Sequence, residues 1–73
     1  MQGAMPISMA TVGTAYTIKK ISGNTEVRSH LKSMGFNEGT EVKLITQLDG
    51  DAIIHVKESR VAINKDQARH ILV

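Results

Sequence analysis

The segment running from Arg28 through Leu31, Met34-Gly35-Phe36 and Glu38-Gly39 to Val42 constrains this chain more than any other. Val27, Leu31 and Met34 recur at helical spacing, and the residues after Gly39 begin to alternate as a strand. The helical pattern stops at Gly35, where the chain must turn into the left-handed region that glycine enters without steric cost. Phe36 then falls where a Schellman ending returns an apolar side chain to the helix, here onto Leu31. Gly39 opens the turn into the strand. Leu31, Met34, Gly35, Phe36 and Gly39 are therefore read as a structural corner, not as a ligand loop.

The corner sits in a chain of 73 residues, enough for one domain but near the size at which a core barely holds without help. No cysteine is present, which excludes disulfide staples and thiolate metal sites. Tyr16 and Phe36 are the only aromatic residues, so the core must be aliphatic. No apolar run is long enough to cross a bilayer, and residues 1–7 lack the charged and apolar regions of a signal peptide. A soluble, cytoplasmic protein is expected, with peripheral attachment at the inner face of the membrane as an option. The net charge is +2 and the basic residues are dispersed, Lys19-Lys20 being the only adjacent pair. A nucleic-acid binder would show a denser basic stripe with stacking aromatics, so no nucleic-acid partner is expected.

Residues 1–12 read as a lead-in in which Ile7 and Met9 alternate and cover an edge of the core, and residues 13–73 as a single domain. Residues 14–21 form a strand with Tyr16 and Ile18 on one face. Thr25 caps a helix over 26–34, with Glu26 complementing its dipole. Residues 41–48 alternate, Val42, Leu44, Thr46 and Leu48 facing one way. Residues 52–57 answer them with Ala52, Ile54 and Val56. Face matching pairs Leu48 with Ala52, Thr46 with Ile54 and Leu44 with Val56, which requires a three-residue loop at 49–51. A turn at 58–60, a strand at 61–63, a helical turn capped by Asn64 or Asp66, and a last strand at 71–73 complete the chain. The expected fold is mainly β with one short α-helix: a small, SH3-like, five-stranded, half-open barrel.

With these residues, the sequence resembles the FeoA family of bacterial ferrous-iron transport accessory proteins. The resemblance lies in Gly13 before the first strand, in Ile18-Lys19-Lys20-Ile21-Ser22-Gly23, and in the corner with Arg28, Leu31, Met34-Gly35-Phe36 and Glu38-Gly39-Thr40-Glu41-Val42. It continues through Ile54, Val56, Arg60-Val61-Ala62-Ile63, Ala68, Ile71 and Val73. Relatives often carry proline where this chain has Glu38, and a longer hairpin than Asp49-Gly50-Asp51. The resemblance implies a small non-catalytic adaptor that binds and regulates a FeoB-type, GTP-binding membrane transporter for Fe(II). It also brings in domains of this kind fused to metal-dependent repressors.

The residues themselves offer few chemical sites. His30, His55 and His70 lack the spacing that puts two ligands on one helix face. They read as solvated imidazoles or as weak candidates for a surface Zn or Fe site, which Asp49 and Asp51 could join. No cofactor is required by this reading; weak transition-metal binding is the option left open. No cysteine nucleophile, phosphate loop or Ser-His-acid set is evident, so no enzyme is expected. The face-matched register places Ile45 opposite His55 and Ile53 opposite Gln47 on the outer face of the meander, an apolar patch rimmed by Lys43 and Lys57. Arg28 and Lys32, spaced i,i+4 on the helix, offer a basic face to an acidic partner or a lipid headgroup. Ordinary surface aliphatics, or cover by residues 1–12, explain the patch at least as well, and a solvated face is the usual reading of the helix pair. A metal sensor or carrier and an SH3-like nucleic-acid-binding module are the alternative functions, and exposed strand edges allow a weak homodimer.

Overall fold

The computed structural model describes residues 4–73. Strands β1 (Ala15–Thr17), β3 (Glu41–Leu48), β4 (Asp51–Val56) and β5 (Ser59–Ile63) form one antiparallel sheet in the order β1-β3-β4-β5. Two short strands, β2 (Lys20–Ile21) and β6 (Ile71–Leu72), pair apart from it. Helix α1 (Thr25–Ser33) lies between β2 and β3, and the single turn α2 (Lys65–Ala68) lies between β5 and β6. This is the expected β-rich, half-open arrangement around an aliphatic core, with no buried polar or charged residue among the described ones.

The corner forms as its chemistry requires. Gly35 takes φ +102, its N–H donates to the Lys32 carbonyl at 3.0 Å, and the Phe36 N–H reaches the Leu31 carbonyl at 3.1 Å. These two bonds are the Schellman pair, and they bury Phe36 and Leu31 completely. Met34 and Val27 are half-buried against the same core. At its other end the corner grips β1: Gly39 donates to the Ile18 carbonyl at 2.8 Å, and Ile18 donates to Thr40 at 2.9 Å. One residue later Lys19 donates to Leu72 at 2.7 Å. The chain therefore changes sheets between Ile18 and Lys19, which splits the single strand expected at 14–21 into β1 and β2. The helix begins one residue earlier than expected. Asn24, not Thr25, is its N-cap, accepting the Val27 N–H at 2.9 Å.

The β3–β4 hairpin departs from the face-matched register. Asp49 and Gly50 form a two-residue turn with φ 55 and 89, the left-handed values a type I′ turn needs. Leu48 consequently pairs with Asp51, and Gln47 with Ala52. That register alone would turn Leu44 and Val42 away from the core. A bulge at Ile45 restores them: two residues, Ile45 and Thr46, face the single Ile53, and beyond it Leu44 pairs with Ile54 and Val42 with Val56. Leu48, expected inside, is 74% exposed, and Thr46 is exposed as well. The next turn is also two residues long, Lys57-Glu58, so β5 begins at Ser59 instead of residue 61.

The packed unit begins by Met5, ahead of the boundary expected at residue 13. Met5 and Val73 exchange backbone hydrogen bonds at 2.9 and 2.8 Å, and Pro6 bridges Leu72. Ile7 is fully buried in a 3-10 turn, Ile7–Met9, that swings Met9 out to 72% exposure instead of leaving both over a core edge. Residues 1–3 of the expected lead-in lie outside the described residues. At the far end, α2 is held by a capping box between Asn64 and Gln67 and by the Asp51 carboxylate, which accepts the Lys65 N–H at 3.2 Å.

Candidate functional site

Side chains alternate along β3 and β4, so burying Val42, Leu44, Ala52, Ile54 and Val56 aims the residues between them at solvent. The ladders assemble these outward residues into rows that cross the sheet. One row runs Ala15, Lys43, His55, Arg60 over four strands. The next runs Thr46, Ile53, Ala62, with the bulged Ile45 beside it. The outer face thus carries a basic row against an apolar one. No salt bridge involves Lys43, Lys57 or Arg60 among the described residues; the one ion pair found there joins Arg69 and Asp66, at 3.8 Å on the surface.

An open depression of ≈ 390 Å³ lies at the Ala15, Lys43 and His55 part of this row, with Thr40, Lys57 and the acidic Glu41 and Glu58 also in its wall. A second, of ≈ 590 Å³, lies where β3, β4 and β5 meet α2, with Leu48, Ile53, Ala62 and Gln67 in its wall. Both are shallow grooves suited to a chain or surface more than to an enclosed small molecule. At the β1 side, the Thr11 N–H donates to the Tyr16 hydroxyl at 3.0 Å. The Thr11 side chain first and its backbone N–H second lower the Tyr16 phenol from its usual value.

Several expected site residues move. His55 pairs with Lys43, not Ile45, and Ile53 pairs with Thr46, not Gln47. The two-residue turn at Asp49-Gly50 sets the Ile53 pairing, and the bulge beyond it sets that of His55 and leaves Ile45 half-buried instead of fully outward. Ile53 remains exposed, at 37%. Gln47 turns to the N-terminal segment and donates to the Ser8 carbonyl at 2.9 Å. Arg28 and Lys32 are exposed on α1 as the helical spacing requires.

A family model for the FeoA domain matches residues 5–73. This chain belongs to the FeoA family. A Methanocaldococcus jannaschii protein named "Putative Fe(2+) transport protein A" is 35% identical over 68 residues, covering 93% of this chain and 83% of the relative. The crystal structure of an iron uptake regulatory protein (FeoA) superposes with a TM-score of 0.87 at 29% identity, covering 99% of this chain and 96% of the other. Stenotrophomonas maltophilia FeoA, solved with zinc and described as an SH3 domain protein, gives 0.75 at 17% identity over 96% and 87% of the two chains. At that identity the likeness shows the fold alone.

Within this FeoA chain the three histidines do not converge. His30 is exposed on α1, His55 lies on the outer face of β4, and His70 is half-buried between α2 and β6. Among the described residues no three His, Asp, Glu or Cys side chains gather as a metal site. His70 is not the free imidazole expected: its Nδ1 shares a hydrogen bond with Ser22 Oγ at 2.9 Å. The two residues are 48 positions apart, and only the β2–β6 pairing brings them together. Asp51 is likewise occupied, as the acceptor for Lys65. No sequence signal marked the Lys43–His55–Arg60 row, because Lys43 meets His55 only in the bulged β3–β4 register and Arg60 meets His55 only through the two-residue Lys57-Glu58 turn.

Proposed function

We propose that this FeoA-family chain is a non-catalytic accessory protein of ferrous iron uptake, acting in the cytoplasm by binding and regulating a FeoB-type GTP-binding transporter. The observation that carries the reading is the outer sheet face, where Lys43, His55 and Arg60 stand in one row beside Ile53 with no ion pair among the described residues. Desolvated apolar contact at Ile53 supplies affinity, and the cations orient an acidic partner surface and speed its encounter. Arg28 and Lys32 offer a second exposed basic pair, on α1. The metal-carrier alternative needs donors from more than one copy, since no three converge among the described residues.

Ile53→Asp places a carboxylate in the apolar row without touching the core, so the chain stays folded. Capture of the transporter's cytosolic domain by this variant is expected to weaken by more than about tenfold, with Fe(II) uptake falling in parallel. Wild-type capture and uptake by folded Ile53→Asp and His55→Asp chains would remove the outer face from the proposal.

A further inference from the structure

The fourth strand of the main sheet ends it, and its far edge is open. Lys57-Glu58 is a two-residue turn closed by the Val56–Ser59 pair, so the hydrogen-bonded pairs of the β4–β5 ladder are Val56–Ser59, Ile54–Val61 and Ala52–Ile63. His55–Arg60 and Ile53–Ala62 are the wide pairs between them. The N–H and C=O of Arg60 and Ala62 therefore point away from β4. Outside the ladder no described backbone or side-chain group bonds to them. Most sheets blunt such an edge, and here Arg60 is the one charged side chain on β5.

The side chains decide what this edge selects. A strand laid antiparallel on β5 would place alternate residues on the outer face, in line with the Lys43–His55–Arg60 row. Three basic or imidazole side chains already occupy that row, and no acidic one does. The Thr46–Ile53–Ala62 row beside it is apolar. A second copy of this chain would bring another Arg60 row to the same edge, so the charge that discourages self-pairing favours an acidic segment. We infer that β5 takes up an extended acidic segment of a protein partner by strand addition, its backbone bonding Arg60 and Ala62 and its carboxylates extending the Lys43–His55–Arg60 row. The inference rests on reading the chain as a protein-binding module, and it goes beyond the flat outer face by assigning the β5 edge and the conformation of the bound segment.

The test uses the isotope-labelled full chain and three probes: a short peptide alternating Val and Glu, the matching Val-Lys peptide, and a single-stranded oligonucleotide. The Val-Glu peptide should shift the Arg60 and Ala62 amides and slow their hydrogen exchange, and should bind about tenfold tighter than the Val-Lys peptide. Arg60→Glu should reverse that preference. Ala62→Pro, which removes an outward N–H and leaves the β4–β5 ladder bonds intact, should abolish binding with the fold retained. If Ala62→Pro does not fold, exchange protection at Arg60 and Ala62 in the wild-type chain decides alone. Equal binding of both peptides, shifts confined to Ile53 and Lys43, protection that rises with protein concentration without peptide, or tighter oligonucleotide binding at the same amides would each overturn the inference. Transporter capture that survives Ala62→Pro but not Ile53→Asp would overturn the edge while leaving the proposed function standing.

Discussion

The helix-to-strand corner and the β3–β4 hairpin solve the same problem, reversing the chain while keeping apolar residues inside, and they solve it differently. At the corner, local chemistry and tertiary packing agree. Gly35 is needed for the left-handed turn, and the same turn delivers Phe36 to the core. At the hairpin they conflict. Asp49-Gly50 prefers a two-residue turn, and that turn alone would send Leu44 and Val42 outward. The bulge at Ile45 reconciles them by spending one residue of β3. A conflict between turn chemistry and face matching is thus settled in the strand, because an extra residue there disturbs only one ladder position.

The largest effect should come from the corner. Phe36→Ala is expected to cost about 3–5 kcal/mol in urea unfolding, since the ring is completely buried in the core. A cost near that of an exposed residue would mean that Gly35, not Phe36, holds the corner together. The glycines of the two turns sharpen the contrast. A Cβ on Gly50 would lie 2.8 Å from the Lys65 Cβ, whereas one on Gly35 meets nothing closer than 3.8 Å. Both have positive φ, so Gly35→Ala should cost about 1–2 kcal/mol and Gly50→Ala clearly more. Equal losses would show that the hairpin turn can move off α2.

Deleting Ile45 tests the bulge itself. The remaining residues pair in an unbroken register, Leu44 with Ile54 and Thr46 with Ile53. Nuclear Overhauser contacts between Val42 and Val56 should persist, with a loss of about 1–2 kcal/mol. Loss of those contacts would show that the bulge sets the register instead of absorbing it. The smallest change is a gain. Lys57 and Glu58 hold φ 50 and 66 without glycine or asparagine. Glu58→Gly should raise stability by about 0.5–1 kcal/mol, read as a higher urea midpoint. No gain would mean that contacts of the Glu58 side chain already offset the strain.

Much of the fold was legible because its determinants are local. Helix α1, its glycine stop, the buried Leu31 and Phe36 and the extent of β3 all follow from residues within one turn of each other, whereas the cap of α2 stayed open between Asn64 and Asp66 until the structure chose Asn64. Thr25 as cap failed by one position, since Asn24 and Thr25 are both good caps and only the helix packing selects between them. The candidate site was less legible. Ile53, His55, Arg28 and Lys32 are exposed as their patterns required, but Ile45 and the expected pairings were displaced by the two-residue turn and the bulge together. Arg60 drew no attention as a site residue, because in sequence it is one cation beside a turn.

From its amino-acid order alone, this chain determines the helix, the corner, the alternating strands and membership of the FeoA family, since each rests on short-range spacing or on motifs in order. Only the tertiary structure decided the register of β3 on β4, the split of β1 from β2, the closure of the N-terminal segment onto β6 and the Ser22–His70 bond. Those depend on which of two permissible local choices lets distant residues share one core. The basic row beside an open strand edge is a product of that choice.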